Sequence, residues 1–202
     1  RDTGGAWLVD TCSDEPTFDF LYRVGRVPLP GYIREGIARR EDVERYQTVF
    51  AERPGSAAAP TAGLHFTPAL LQELESRGVK RAEVTLHVGI DTFRPIGTEK
   101  IDEHAMHSEW CAVSEETVAA VHRTQQLSGR VVAVGTTAVR SLETAAKVGA
   151  AESYVGATDL YIRPGYSFRA VDGMLTNFHM PRTTLMVLVS AFAGHDLIRR
   201  GY

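Results

Sequence analysis

Apolar and polar positions along this chain change period at recognisable places. In AEVTLHV, residues 82–88, Ala82, Val84, Leu86 and Val88 fall on one side and Glu83, Thr85 and His87 on the other. A period of two predicts a strand with one wetter face. RVVAVG, residues 130–135, is a nearly continuous apolar run and predicts a strand covered on both faces. TDLYI (158–162) and YSFRAVDGMLTNF (166–178) predict two further strands. Between them the period lengthens. Thr67 offers an N-cap and Pro68 a first helical position, and ALLQELESR then runs to Gly78 as a stop. Ser114 opens a second helix, with Glu115 and Glu116 in the turn where the dipole favours them, ending before Gly129. AVRSLETAAK (138–147) and TTLMVLVSAFAG (183–194) predict two more helices, the latter as the last element. Ahead of these, WLVD and FDFLYRVGRVPLPGY are short apolar stretches cut by Gly25, Pro28, Pro30 and Gly31, which predicts strand edges and turns. Strands alternating with helices argue for an α/β domain.

Composition narrows the class. The 202 residues are 44% hydrophobic and carry a formal net charge of −3, ordinary values for a globular chain. No apolar run reaches the roughly 18 residues of a membrane span. Two cysteines, Cys12 and Cys111, make neither a disulfide framework nor a zinc site. The charge gives no global attraction to nucleic acid, but arginines cluster in REGIARRED (34–42) and SRGVKRAE (76–83), and phosphate contacts are local.

Four stretches carry candidate chemistry. GTT after the RVVAV run places Thr136 and Thr137 at a helix start, a seat for a carboxylate or phosphate, without the glycines of a dinucleotide fingerprint or the Lys of a P-loop. GSAAAPTAGLHFTP (55–68) has small residues and Gly63 for close approach, with His65 as a proton carrier and Phe66 as a stacking face. TLHVGIDTFRP puts His87 and Asp91 near a strand end, and TNFHMP does the same for Asn177 and His179. In IDEHAMHSEW (101–110), His104 and His107 stand among carboxylates, but the spacing is not the H-E-x-x-H of zinc enzymes. Acid–base work or substrate contact fits these histidines better than a metal.

PLPGYI, ERYQTVFA, AAPTAGLHFT, VTLHVGIDTFRP, HAMHSEW, VVAVGTTAVRSLE, PGYSFRAVDGMLTNFHMP and LMVLVSAFAG occur in this order, from about Leu21 to Gly194. Together they resemble the S-adenosylmethionine:tRNA ribosyltransferase-isomerase family of queuosine biosynthesis. The resemblance implies a main α/β domain, residues 34–202, and a remnant of a small β-barrel domain in residues 1–33. It implies S-adenosyl-L-methionine as co-substrate, with its ribosyl part transferred to the 7-aminomethyl-7-deazaguanine base at the wobble position of tRNA and rearranged to epoxyqueuosine. Adenine and methionine leave. It implies a cytoplasmic protein with no metal; no membrane partner is expected, and a monomer is expected because nothing in the sequence suggests an obligate interface. Family members are longer, so the chain is expected to be a piece of the whole.

Within that expectation, His65, His87, His104 and His107 form the acid–base pool and Glu109 orients one of them. Thr136, Thr137 and Arg140 receive the methionine carboxylate; Phe66 or Phe93 stacks on adenine; Asp91 or Glu109 faces the sulfonium; and Thr61, Gly63, Asn177 and His179 complete the ligand-binding set. Asp91 stands where the family carries a small residue. It supports a second reading, a paralogue using S-adenosylmethionine on a different acceptor; the expected missing ends support a third, an inactive tRNA- or ligand-binding fragment, and a zinc hydrolase built on His104 and His107 comes fourth.

Overall fold

The computed structural model describes residues 9–56, 58–89, 95–149 and 153–202. Among the described residues are seven helices and five short strands: α1 Thr17–Val24, α2 Asp42–Arg45, α3 Pro68–Ser76, β1 Val84–Leu86, β2 Glu109–Val113, α4 Glu115–Gln126, β3 Val132–Val134, α5 Thr136–Lys147, β4 Tyr154–Thr158, β5 Gly173–Leu175, α6 Thr184–Ala193 and α7 His195–Gly201.

The strands form two small sheets. β1, β2 and β4 make an antiparallel sheet in that order, with Leu86 opposite Cys111 and Glu109 opposite Thr158. β3 and β5 pair in parallel, Val132 with Gly173 and Val134 with Leu175. Parallel strands need a crossover, and α5 lies within it, packed against β1, β2, β3, β4 and α6. Val139 and Leu142 of α5 join Val113, Ile162 and Leu188 in the main core.

The helix boundaries follow the capping chemistry. Thr67 Oγ1 accepts from the Leu70 N–H at 3.2 Å and Pro68 occupies the first turn, as its fixed φ allows. Ser114 Oγ accepts from Thr117 N at 3.2 Å, with Glu115 and Glu116 in the first turn. Thr183 Oγ1 caps α6 at Met186 N.

Several expectations are corrected. Residues 17–24 are a helix rather than strand edges, and the described part of residues 9–33 holds no strand, so the β-barrel remnant is not seen there. The apolar spacing of Phe18, Leu21, Tyr22 and Val24 suits a helix face as well as a strand, and short apolar runs do not distinguish the two. All four side chains are exposed. β4 ends at Thr158, where the TDLYI strand was expected to begin. Among the described strands β3 pairs with β5 alone, and Val132 is 56% exposed while Ala133 is buried, so the described residues cover the apolar run on one face. A further helix, α7, follows α6 after Gly194, whose φ of 84° turns the chain.

Candidate functional site

α5 is the framework of the site. Its sequence reads as amphipathic, yet eight of its twelve residues are buried, including Thr136, Arg140, Ser141, Glu143 and Thr144. Burying so many polar groups requires internal partners, and Arg140, Ser141, Glu143 and Thr144 have them. Thr144 Oγ1 donates to Arg140 O at 2.7 Å and meets Thr158 Oγ1 at 2.6 Å. Ser141 Oγ donates to Thr137 O at 3.1 Å. The Glu143 carboxylate accepts from Tyr166 Oη and from the N–H groups of Arg169, Ala170 and Val171, all within 2.9–3.1 Å.

One wall forms where the parallel strands end, the position at which open α/β sheets bind ligands. The Gly135 N–H donates to Leu175 O at 2.8 Å, and its φ of 90° swings the chain from β3 into α5. No described side chain caps α5, so its first N–H groups, at Thr136 and Thr137, meet no cap. The turn Thr61–His65 lies over this start: a Cβ placed on Gly135 would be 3.6 Å from Ala62 Cβ. Gly63 is packed so closely on Thr48 and Phe50 that a Cβ there would come within 3.1 Å of each. His65 Nε2 meets Asn177 Oδ1 at 2.6 Å, joining the turn to the segment after β5. Phe66 packs edge-on against Phe50, ring centroids 5.8 Å apart.

A second wall forms at the start of β2. Glu109 is buried, and its Oε2 is paired with Arg140 Nη1. Oε1 accepts the Gly89 N–H at 3.1 Å and lies 3.5 Å from His107 Nε2, without hydrogen-bond geometry at that nitrogen. Arg140, expected to receive a ligand carboxylate, thus holds one from the protein itself. Its other N–H groups donate to the carbonyls of Leu160, at 3.3 Å, and Thr158, at 3.4 Å.

The remaining histidines stand elsewhere. His87 is wedged between Trp110, ring centroids 4.9 Å apart, and Gly55, where a Cβ would fall 1.9 Å from His87 Nδ1. His104 packs on Tyr161 at 5.6 Å, beside the ion pair of Asp102 with Arg163. His104 and His107 therefore have separate neighbours, and no cluster of three metal-ligating side chains occurs among the described residues. His179 meets Thr176 Oγ1 through Nε2 at 3.3 Å; its Nδ1 is buried without a partner among the described residues, and burial holds its pKa below the usual value. Asp91 and Phe93 lie outside the described residues. A cavity of about 310 Å³ opens between Ile96, Thr98, Ile101 and the α6 residues Met186 and Val187, and none of the expected site residues lines it.

Sequence reasoning missed Glu143, Gly55 and Tyr161. Glu143 had a signal: it falls four residues after Val139 on the helix stripe that faces the core, where an unpaired carboxylate would be costly. Gly55 and Tyr161 had none, because their importance lies in contacts with residues far along the chain.

Comparison with known proteins supplies the affiliation. The chain is 54% identical over 187 residues to an S-adenosylmethionine:tRNA ribosyltransferase-isomerase of Thiobacillus denitrificans, covering 93% of this chain and 54% of that protein. It is 52% identical over 182 residues to the Thermotoga maritima protein of the same name, covering 90% and 53%. A crystal structure of S-adenosylmethionine tRNA ribosyltransferase from Thermotoga maritima matches with a TM-score of 0.58 at 47% identity, over 70% of this chain and 44% of that one. The chain spans about half the length of the curated relatives it matches. The family model for queuosine biosynthesis protein matches residues 3–202, and the chain belongs to that family.

Proposed function

We propose that the protein of which this chain is a part transfers the ribosyl moiety of S-adenosyl-L-methionine to 7-aminomethyl-7-deazaguanine at the wobble position of tRNA and isomerises it to epoxyqueuosine, releasing adenine and methionine. The relatives' names support the reaction class. The observation that carries the reading is a convergence. Three stretches of the resemblance, AAPTAGLHFT, VVAVGTTAVRSLE and PGYSFRAVDGMLTNFHMP, are brought to one place by Ala62 over Gly135 and by the 2.6 Å contact of His65 with Asn177.

The chemistry asks for three things. The sulfonium acidifies the adjacent 5′ carbon, so a base must take a proton there; adenine departs more readily if a donor protonates it; and the acceptor amine must lose a proton to attack. Histidines suit these tasks near neutral pH. His65 is braced by Asn177, and His107 lies 3.5 Å from the Glu109 carboxylate. The uncapped N–H groups at Thr136 and Thr137 offer the methionine carboxylate a positive helix end. Thr61, Gly63 and Phe66 belong to the turn over that end and form the adenosyl side. The protein works as a monomer in the cytoplasm on tRNA, and this reading gives no step to a metal.

The test is adenine release from S-adenosylmethionine by the full-length protein, with tRNA carrying 7-aminomethyl-7-deazaguanine or tRNA lacking it. Release that requires the modified base upholds the reading. Formation of S-adenosylhomocysteine in place of adenine would overturn it.

A further inference from the structure

The hydrogen bond between His65 and Asn177 joins two segments whose backbones are fixed by other contacts. On one side, the turn Thr61–His65 is closed by the Gly63 N–H on Pro60 O at 2.8 Å and by the Phe66 N–H on Gly63 O at 3.1 Å. Gly63 is packed tightly on Thr48 and Phe50, and Ala62 is buried over Gly135. On the other side, Asn177 lies two residues after β5. Leu175 O accepts the Gly135 N–H at 2.8 Å, and the His179 N–H donates to Tyr202 Oη at 2.6 Å, so the chain is tied before and after Asn177. With both backbones held, the freedom left to the imidazole is rotation about its own side-chain bonds. The 2.6 Å bond to Asn177 removes it.

The partner atom is an amide oxygen. It has lone pairs and no proton, so the ring nitrogen that meets it must carry the hydrogen. Nδ1 makes no hydrogen bond among the described residues, and the His65 side chain is exposed. An amide also differs from a carboxylate in this position. It orients an imidazole without adding a negative charge that would favour the imidazolium.

We infer that Asn177 is a positioning residue: its Oδ1 accepts the His65 Nε2–H and fixes the ring, which leaves Nδ1 with the lone pair. An imidazole nitrogen with a lone pair is the form that a general base requires. The use of that lone pair in turnover rests on the function proposed above; the hydrogen bond and the tautomer do not. Asn177 then acts through His65, a role different from the ligand contact expected of it from sequence.

Two measurements on the full-length protein test the inference. In the first, the imidazole nitrogens are followed by nitrogen-15 NMR at about pH 8.5, where an ordinary imidazole is neutral, with His65 assigned by its loss in His65→Gln. The wild type should show Nε2 as the protonated nitrogen. Asn177→Leu should give a mixture of tautomers, and Asn177→Asp, which keeps an acceptor oxygen, should restore protonation at Nε2. A wild-type ring protonated at Nδ1, a mixture in the wild type, or an Asn177→Leu ring identical to wild type overturns the inference. The second measurement is single-turnover adenine release over a range of S-adenosylmethionine concentrations. Asn177→Leu should lower the maximal rate roughly 10- to 100-fold while the half-saturating concentration stays within about twofold. Combined with His65→Gln it should be no slower than His65→Gln alone, since residues acting as a unit are non-additive. A raised half-saturating concentration with the rate retained places Asn177 on the ligand, and additive losses separate it from His65; either overturns the inference. The wild-type tautomer requires no variant, so it decides the matter even if Asn177→Leu fails to fold. Absence of adenine release by the wild type with the modified tRNA would count against the proposed function and leave the NMR result to decide this inference.

Discussion

Glu143 shows how one residue can organise a loop. It gathers four N–H bonds from Arg169, Ala170 and Val171, and a phenolic O–H from Tyr166, onto one buried carboxylate. Burial, followed by the charge of Glu143, holds the Tyr166 phenol well above its ordinary pKa. Glu143→Gln places an amide NH₂ among those donors and should cost about 1.5–3 kcal/mol in urea unfolding, the range for hydrogen bonds to a charged group. Faster amide exchange at Ala170 and Val171 should accompany it, and unchanged exchange there would refute the cradle. His179 gives a pH prediction. Burial depresses its pKa below 6.5, so the unfolded chain binds a proton that the folded chain does not. Its contribution is complete above about pH 6.5 and is lost as pH falls through the depressed value. The fall in stability between about pH 7.5 and 5.5 should be smaller in His179→Asn than in the wild type; equal slopes would contradict this.

At the scale of elements, the β3-to-α5 connection matters most. Gly135 sits at φ 90° and ψ 149°, where a side chain is strained even though space exists beside Ala62. Gly135→Ala should destabilise the fold by about 1–3 kcal/mol. If the proposed site is correct, it should weaken S-adenosylmethionine binding in the full-length protein more than Thr67→Ala does. Thr67→Ala removes an exposed cap on α3 at a cost of about 1 kcal/mol and serves as the control. Equal effects of the two on ligand binding would place the ligand away from α5. The helices that sequence patterning located well, α3, α4 and α6, are those whose caps are side chains close in sequence. The strands were harder: β3 and β5 are three residues each, and their pairing is decided by a crossover through α5.

For the molecule as a whole, a net charge of −3 means that the proposed attraction to tRNA would have to come from patches. The cluster at residues 34–42 divides on inspection. Arg34 pairs with the buried Asp42 and, with the Arg39 N–H, holds that carboxyl below its ordinary pKa, so Arg34 belongs to the fold. Arg39 and Arg40 are exposed, and no described carboxylate pairs with their side chains. In the cluster at 76–83, by contrast, Arg77 and Arg81 are paired with Glu73 and Glu83. Replacing Arg39 and Arg40 by Glu should weaken tRNA binding and reduce the slope of log affinity against log salt by about one to two, whereas Arg77→Glu should change it little. The reverse order would move the RNA face to the α3 end.

The sequence by itself determined the kind of chain this is. Periods of two and 3.6, capping residues and ordered motifs are local signals, and they located most helices and the family. It also placed Glu109 beside a histidine, because HAMHSEW keeps them two residues apart. Only the tertiary structure decided which of these residues meet. Arg140 reaches Glu109 across 31 positions and His65 reaches Asn177 across 112, distances over which no pattern in the chain carries information. The same cause pairs Arg140, expected from sequence to contact a ligand, with a buried carboxylate. A polar residue on a helix looks alike from sequence whether it faces a ligand or another part of the protein, and the difference is made by what the fold packs against it.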